Sequence, residues 1–147
     1  MKQQSIGHVS ALFISQKDTS TRKMQQSIHL DLRGILHDKF YNKDIQRSVL
    51  ITSKESYALA QEHQISMPYG SLGENLLIDY NPYHLPKGTQ LSMGTSILEI
   101  SQNCTLCDHL SNIDKQLPIL LKHDRGIFAK VIQEGDIQKG DEIFIIK

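Results

Sequence analysis

The stretch LSMGTSILEIS (91–101) predicts two paired strands and leads directly into the segment that carries both cysteines. The runs 91–93 and 96–101 are separated by Gly94 and Thr95. Glycine readily adopts the positive φ angles that a tight turn between strands requires. The stretch therefore favours an antiparallel strand pair within a mainly β protein.

Short strand-like runs recur over the rest of the chain. In SIHLDL (27–32), Ile28, Leu30 and Leu32 alternate with polar residues, which predicts a half-buried strand with all three on one face. Further predicted strands cover 5–15, 48–52, 74–80, 126–132 and 143–146. Many short strands with few helices predict a closed or half-closed β-barrel that carries two or three short helices.

Two segments predict helices. The pattern TSKE (52–55) is typical of a capping box with Thr52 at the N-cap, and a short helix to about His63 should follow. The second helix is indicated by an apolar stripe at helical spacing, made of Leu106, Leu110, Ile113 and Leu117. Pro118 should end this helix, because proline disrupts a helix interior.

The bulk composition limits the classes of function. The chain has 147 residues, which predicts a single domain over 1–147. Sixteen basic residues balance sixteen acidic ones, so no net field attracts nucleic acid or an anionic membrane. No apolar run is long enough to span a membrane, and MKQQSIGHVS (1–10) lacks a signal-peptide core. These features predict a cytoplasmic protein without nucleic-acid or membrane partners.

The two cysteines, Cys104 and Cys107, are three positions apart just before the second predicted helix. If Thr105 is the N-cap, Cys107 lies in the first helical turn, where free N–H groups favour a thiolate, although Asp108 adds opposing negative charge. Three other interpretations remain open. A zinc site could include His109 and His123, the pair could be a thioredoxin-like dithiol, or both thiols could be buried packing residues.

The loop GSLGEN (70–75) contains two glycines and allows two interpretations. The simpler interpretation is a tight turn before a strand, because glycine supplies positive φ at no steric cost. The functional interpretation is a backbone nest for an anion, with Glu74 and Asn75 directed into a pocket. Glycine turns are common, so the loop by itself favours the simpler interpretation.

Several stretches together resemble the MOSC family, the molybdenum-cofactor sulfurase C-terminal domain. GSLGENLLID (70–79) resembles the family's Gly-x-x-Gly-Glu-Asn-Leu signature, and KGTQLSMGTSILEIS (87–101) resembles the stretch before its cysteine, with Thr89 where Asp is usual. GIFAKVIQEGDIQKGDEIFI (126–145) resembles its terminal pattern. The resemblance implies a MOSC-type β-barrel.

The resemblance also extends to GILHDKFYNKDIQRSVLIT (34–52), where Asp38 and Arg47 keep their places. His37, Phe40 and Ser48 depart from the family pattern. Asp38 and Arg47 would line the pocket or form a partly buried ion pair that fixes the loop. Arg125 could meet a cofactor phosphate or could be a solvated surface residue. The residues expected to bind a cofactor are Gly73, Glu74, Asn75, Asp38, Arg47 and Arg125.

Setting LEISQNCTLC (98–107) against the family's cysteine motif without gaps places Cys107 at the reactive cysteine. Cys104 then occupies the usual Arg place, and Leu106 the usual Pro place. The resemblance therefore implies that Cys107 is the working thiol and the metal ligand. Cys104 is a second catalytic candidate, a resolving thiol that forms a reversible disulfide.

The family implies two uses of such a thiol. In sulfurase-type members it carries a persulfide for delivery to a metal centre, which implies a sulfur carrier with a cysteine desulfurase or a molybdoenzyme as partner. In amidoxime-reductase-type members it ligates molybdenum in the molybdenum cofactor, which implies a reductase of N-hydroxylated compounds. Pyridoxal phosphate is not expected, because the larger sulfurases bind it through a separate domain. A non-catalytic binding module with incidental thiols is the remaining alternative.

Overall fold

The structure, a computed structural model, describes residues 4–16, 22–104 and 108–146. Within these ranges the chain forms mainly β-strands. The strands are β1 (Gln4–Ser15), β2 (Arg22–Gln25), β3 (Ser27–Asp31), β4 (Gly34–Ile35), β5 (Val49–Ser53), β6 (Leu76–Ile78), β7 (Gln90–Met93), β8 (Ser96–Asn103), β9 (Ile127–Gln133), β10 (Gly135–Gln138) and β11 (Glu142–Ile145).

Seven of these strands close into a barrel in the order β11-β7-β8-β9-β5-β6-β1, and pairing of β1 with β11 closes the ring. Neighbouring strands are antiparallel except β5 and β6, which are parallel. Strand β2 extends β1 beyond the ring, and β10, β3 and β4 form a separate small sheet. The predicted mainly β, MOSC-type barrel with two or three short helices is confirmed.

The barrel core follows the predicted alternation along the strands. In the hairpin of β7 and β8, Leu91, Met93 and Leu98 are fully buried. In β3, Ile28 and Leu30 are buried. The expectation for Leu32 is wrong: it lies beyond the end of β3 and is 53% exposed, because the chain turns after Asp31 and pairing stops there.

The helices differ from the predicted boundaries. Helix α1 (Lys54–Glu62) is capped by Ser53, whose Oγ accepts a hydrogen bond from the N–H of Glu55 at 3.1 Å. Thr52 is therefore not the cap. It lies within β5, where it pairs with Leu77 of β6, and its hydroxyl donates to the carbonyl of Arg125 at 3.0 Å.

The second predicted helix is two short helices, α2 (Asp108–Ile113) and α3 (Leu117–Leu120). Between them Asp114 Oδ1 accepts a hydrogen bond from the N–H of Gln116 at 2.8 Å, which stabilises a turn instead of a continuing helix. Pro118 lies in the first turn of α3. N–H groups in the first turn have no acceptor within the helix, so a proline there costs no helical hydrogen bond. Pro118 therefore begins a helix and does not end one. No helix in the described ranges is long and apolar enough to cross a membrane.

The close approach of the β7–β8 turn to β10 leads to a stability prediction. A Cβ atom at Gly135 would lie 2.4 Å from the carbonyl carbon of Thr95, which is backbone and cannot yield cheaply. Gly135→Ala should therefore lower the free energy of unfolding by about 2 kcal/mol or more, as overpacking does. Gly140→Ala is the control, because a Cβ atom there would meet nothing within 4 Å. The only cost expected for this variant is the backbone strain of alanine at a φ of 95°. Urea denaturation of both variants tests this. Equal losses would contradict the proposed packing constraint.

Candidate functional site

A hydrogen-bonded network closes the loop 70–75 against helix α1. The Tyr57 hydroxyl lies 2.9 Å and 2.7 Å from the two carboxyl oxygens of Glu74, to which it donates. The same hydroxyl oxygen accepts from the N–H groups of Gly70 and Leu72 at 3.0 Å and 3.2 Å. The Gly70 N–H also lies 3.0 Å from Glu74 Oε2. One tyrosine therefore fixes both ends of the turn.

Glu74 is fully buried within this network. Burial raises the pKa of its carboxyl group, and the hydrogen bond from Tyr57 acts in the opposite direction. Burial also raises the pKa of Tyr57, and the nearby Glu74 charge adds to this increase. These contacts brace the loop, and Glu74 is not among the described residues that line the pocket discussed below, into which the functional interpretation directed it.

Asn75 and Asp38 connect the loop to the barrel. Asn75 Oδ1 accepts from the N–H of Leu50 at 3.0 Å, and its Nδ2 lies 3.4 Å from Asp38 Oδ1. Asp38, 5% exposed, accepts from the N–H of Ser15 at 2.6 Å and of Phe40 at 3.1 Å. Asn75 also lines the pocket described below, while its side-chain polar atoms are used within the protein.

The ion pair considered between Asp38 and Arg47 does not form. Arg47 Nε instead lies 3.7 Å from Asp44 Oδ2, one helical turn away in a short 3-10 segment. Its guanidinium stands over the ring of Phe128, 5.6 Å from the centroid. Arg47 is therefore placed at the pocket wall by local pairing and by an aromatic contact.

The barrel strands, the loop 70–75 and the segment after β4 enclose a pocket of about 840 Å³. Its cationic lining residues are Arg22, Lys39, Lys43, Arg47 and Arg125. Among the described residues that line it, Asp44 is the single carboxylate. Its apolar lining residues are Phe40, Leu50, Pro68, Tyr69, Ile113 and Phe128. This volume falls within the roughly 300–1,000 Å³ range of small-molecule sites, and the excess of positively charged lining residues favours anionic over cationic ligands.

Arg125 is the most unusual side chain in this pocket. It is 7% exposed, so the expectation of a solvated surface arginine is wrong. Its Nη2 donates to the carbonyl of Leu72 at 3.1 Å. Its Nε and Nη1 are buried without a hydrogen-bond partner among the described residues. A buried guanidinium with two unused donor atoms is costly unless a hydrogen-bond acceptor, such as water or an anion, binds them.

Arg22 is a pocket residue that sequence analysis missed, because the segment before β3 resembled a polar linker. A Cβ atom placed on Gly73 would lie 3.2 Å from Arg22 Nη2 and 3.7 Å from Arg125 Nη2. The two guanidinium groups therefore converge over Gly73, whose φ is 86°. Burial lowers the pKa of Arg22, Asp38 and Glu74 raise it, and Arg125 lowers it by repulsion.

Of the two cysteines, the structure describes Cys104. This residue is 4% exposed, lines the pocket, and packs in a small cluster with Leu50 and Phe128. Cys107 lies outside the described residues, and so does the reversible disulfide considered between it and Cys104. Within the described part of the chain, no group of three or more metal-binding side chains supports the zinc interpretation.

Comparison with known proteins now identifies the family. The sequence model of the MOSC domain matches residues 25–144, most of the chain. The chain belongs to the MOSC domain family. A search of curated proteins found no match. The resemblance noted in the sequence is thus confirmed at the level of the family.

Solved structures show the same fold as this MOSC protein. The YuaD protein from Bacillus subtilis superposes with a TM-score of 0.85 at 16% identity, covering 98% of this chain and 97% of that one. YiiM from Geobacillus stearothermophilus gives a TM-score of 0.76 at 14% identity over 96% and 75% of the two chains. YiiM from Escherichia coli gives 0.71 at 16% identity over 100% and 71%. At these identities the likeness concerns the fold.

The burial of Glu74 leads to a pH prediction. Because its folded pKa is raised, its contribution to stability is fully present below the ordinary carboxyl pKa and is lost as the pH rises through the folded value. Glu74→Gln cannot ionise at this position. The stability of the natural protein relative to this variant should therefore fall as the pH rises from about 5 to about 8. Urea denaturation across this range is the measurement. A relative stability that rises with pH would mean that Tyr57 and Arg22 outweigh burial.

Proposed function

We propose that this MOSC protein binds the molybdenum cofactor in its cation-lined pocket and uses the thiol of Cys107 beside it, as a sulfur carrier or as a metal ligand. The pocket supports binding of a phosphorylated anion more directly than it supports a persulfide carrier without a cofactor. A persulfide is small and needs no cluster of arginines. A pterin cofactor with a phosphate group needs both space and positive charge.

The observation that carries this proposal is the guanidinium of Arg125. Two of its donors are buried and have no partner among the described residues. A second guanidinium, that of Arg22, approaches the same point above Gly73. Two like charges in a partly desolvated site repel each other, and a phosphate between them would offset that repulsion while accepting the free hydrogen bonds.

The residues present fit the cofactor. Arg22 and Arg125 would hold its phosphate, and the rings of Phe40 and Tyr69 at the half-exposed mouth offer apolar surface for a planar ring system. Cys107 would supply the soft thiolate that molybdenum accepts, a role implied by the family motif. When bound, the cofactor supplies electron and oxygen-atom transfer at its metal. The protein's own groups bind the anion, orient it and exclude water.

Arg125→Gln should reduce cofactor retention. Losing a charge-assisted contact of about 1.5–3 kcal/mol lowers affinity by about 10- to 100-fold. The protein, purified without oxygen from cells that make the cofactor, should contain molybdenum and oxidisable pterin, and Arg125→Gln should contain at least about tenfold less of both. Lys122→Gln is the matched control, because it removes one exposed positive charge outside the pocket.

Cys107→Ser separates the metal from the pterin. It removes the soft ligand and leaves the arginines in place, so molybdenum should be lost while phosphorylated pterin is retained in part. Natural protein that carries neither molybdenum nor pterin would contradict the proposal. Equal cofactor content in Arg125→Gln and Lys122→Gln would contradict the assigned role of Arg125.

The wide pocket mouth favours a second candidate function, reduction of N-hydroxylated compounds. Phe40, Tyr69 and Ile113 are 47%, 46% and 36% exposed and line an opening with room for an organic substrate beside a cofactor. A reductase should consume an N-hydroxylated base when an electron donor is supplied.

The sulfur-carrier function makes a different prediction. A sulfur carrier should acquire cyanide-releasable sulfur from a cysteine desulfurase and cysteine. Cys107→Ser should not load sulfur, whereas Cys104→Ser should load at least in part. If Cys104→Ser alone prevents loading, the alignment of the cysteine motif is wrong by three residues. If neither variant differs from the natural protein in sulfur loading or in reduction of an N-hydroxylated base, the non-catalytic binding module is the better description.

A further inference from the structure

We propose that Cys104 is a modification site of this pocket, at which small organic disulfides that carry carboxylates form a mixed disulfide with the protein. The inference rests on the anion-binding part of the proposed function. It does not depend on which anion normally occupies the pocket. It differs from a disulfide between the two cysteines, because the second sulfur comes from the ligand.

The backbone fixes Cys104 beside Arg125. The N–H of Cys104 donates to the carbonyl of Gly126 at 3.0 Å, which continues the pairing of β8 with β9 by one more hydrogen bond. Arg125 immediately precedes that glycine. A Cβ atom at Gly126 would lie 2.9 Å from Leu50 Cδ1, so this backbone is held close against β5. The thiol and the guanidinium are thus carried by paired segments that line one pocket.

The surroundings of the thiol select the charge of a reagent. Arg125, which is 7% exposed, lines the same pocket, and its buried Nε and Nη1 have no partner in the described structure. Phe128, which packs with Cys104, carries the guanidinium of Arg47 over its ring. A disulfide with a carboxylate would find hydrogen-bond donors and positive charge near the sulfur, whereas a neutral disulfide would not gain these contacts.

The reaction is thiol–disulfide exchange. The Cys104 sulfur attacks one sulfur of R–S–S–R, a new protein–S–S–R bond forms, and the old S–S bond breaks. The leaving thiolate takes up the proton that Cys104 gave up, so the products are the mixed disulfide and R–SH. No external oxidant is required, because the reagent disulfide is reduced as the protein thiol is oxidised. A reduced thiol in excess reverses the step. The attached group would occupy the pocket and exclude its anion.

The test uses the full chain with Cys107→Ser, so that Cys104 is its sole thiol. Its rate of reaction is measured with dithiobis(nitrobenzoate), an aromatic dianion, and with neutral dithiodipyridine, both of which release coloured thiols. Each rate is divided by the rate of 2-mercaptoethanol with the same reagent. This division corrects for the difference in intrinsic reactivity between the two reagents. The normalised rate for the anionic reagent should exceed that for the neutral one by at least about tenfold at low salt.

Three comparisons assign this preference to the pocket. Adding Arg125→Gln should reduce the preference several-fold, and adding Lys122→Gln should leave it unchanged. Raising the salt to about 0.5 M should reduce it as well, because screening acts on exposed parts of the pocket. The modified protein should no longer bind phenyl phosphate by calorimetry, and dithiothreitol should restore binding.

The outcomes separate the two proposals. If Cys104 reacts with both reagents only at the rate of unfolding, or without charge preference, the thiol is a packing residue and this inference is overturned. If phenyl phosphate still binds in an Arg125-dependent manner in that case, the anion pocket stands. If the charge preference is found while purified protein lacks molybdenum and pterin, the cofactor assignment fails and the modification site stands.

Discussion

The site depends on one buried hydroxyl group, that of Tyr57. It donates to Glu74 and accepts from the N–H groups of Gly70 and Leu72. The carbonyl of Leu72 in turn holds Nη2 of Arg125. Buried polar groups stabilise a single arrangement when all are satisfied, because the alternative leaves them without water. The position of the Arg125 guanidinium therefore depends on a tyrosine on helix α1.

The same arrangement brings two guanidinium groups together, although Asp38 and Glu74 lie near enough to raise the pKa of Arg22. Arg22 and Arg125 approach each other above Gly73, and two donors of Arg125 lack partners in the described ranges. Isolated burial of such groups is unfavourable, so a structure selected for stability alone would pair or expose them. The unpaired state is understandable if an anion is the missing partner. The site resembles other binding sites in this respect, where local cost is offset when a ligand binds.

The two cysteines occupy different places in the family's motif. The MOSC motif implies Cys107 as the working thiol, while Cys104 stands at a place where the family usually has arginine. The pocket nevertheless has arginines from other segments, Arg22 before β3 and Arg125 before β9. The charge required by an anion is thus supplied by the tertiary structure, and position 104 becomes available for a thiol in the same pocket.

The sequence by itself determined the mainly β barrel and the hairpin of β7 and β8, because alternating hydrophobicity and glycine turns are local properties of the chain. Membership of the MOSC family followed from the resemblance of motifs such as GSLGENLLID (70–79). The sequence also drew attention to the loop 70–75 and to the cysteines. It misplaced Leu32, the cap of α1 and the effect of Pro118, since element ends depend on competing local hydrogen bonds. Only the tertiary structure decided that Arg22 and Arg125 meet. Arg22 begins β2, and Arg125 lies just before β9. These strands are far apart in sequence, and the fold of the whole domain brings the two guanidinium groups to one pocket.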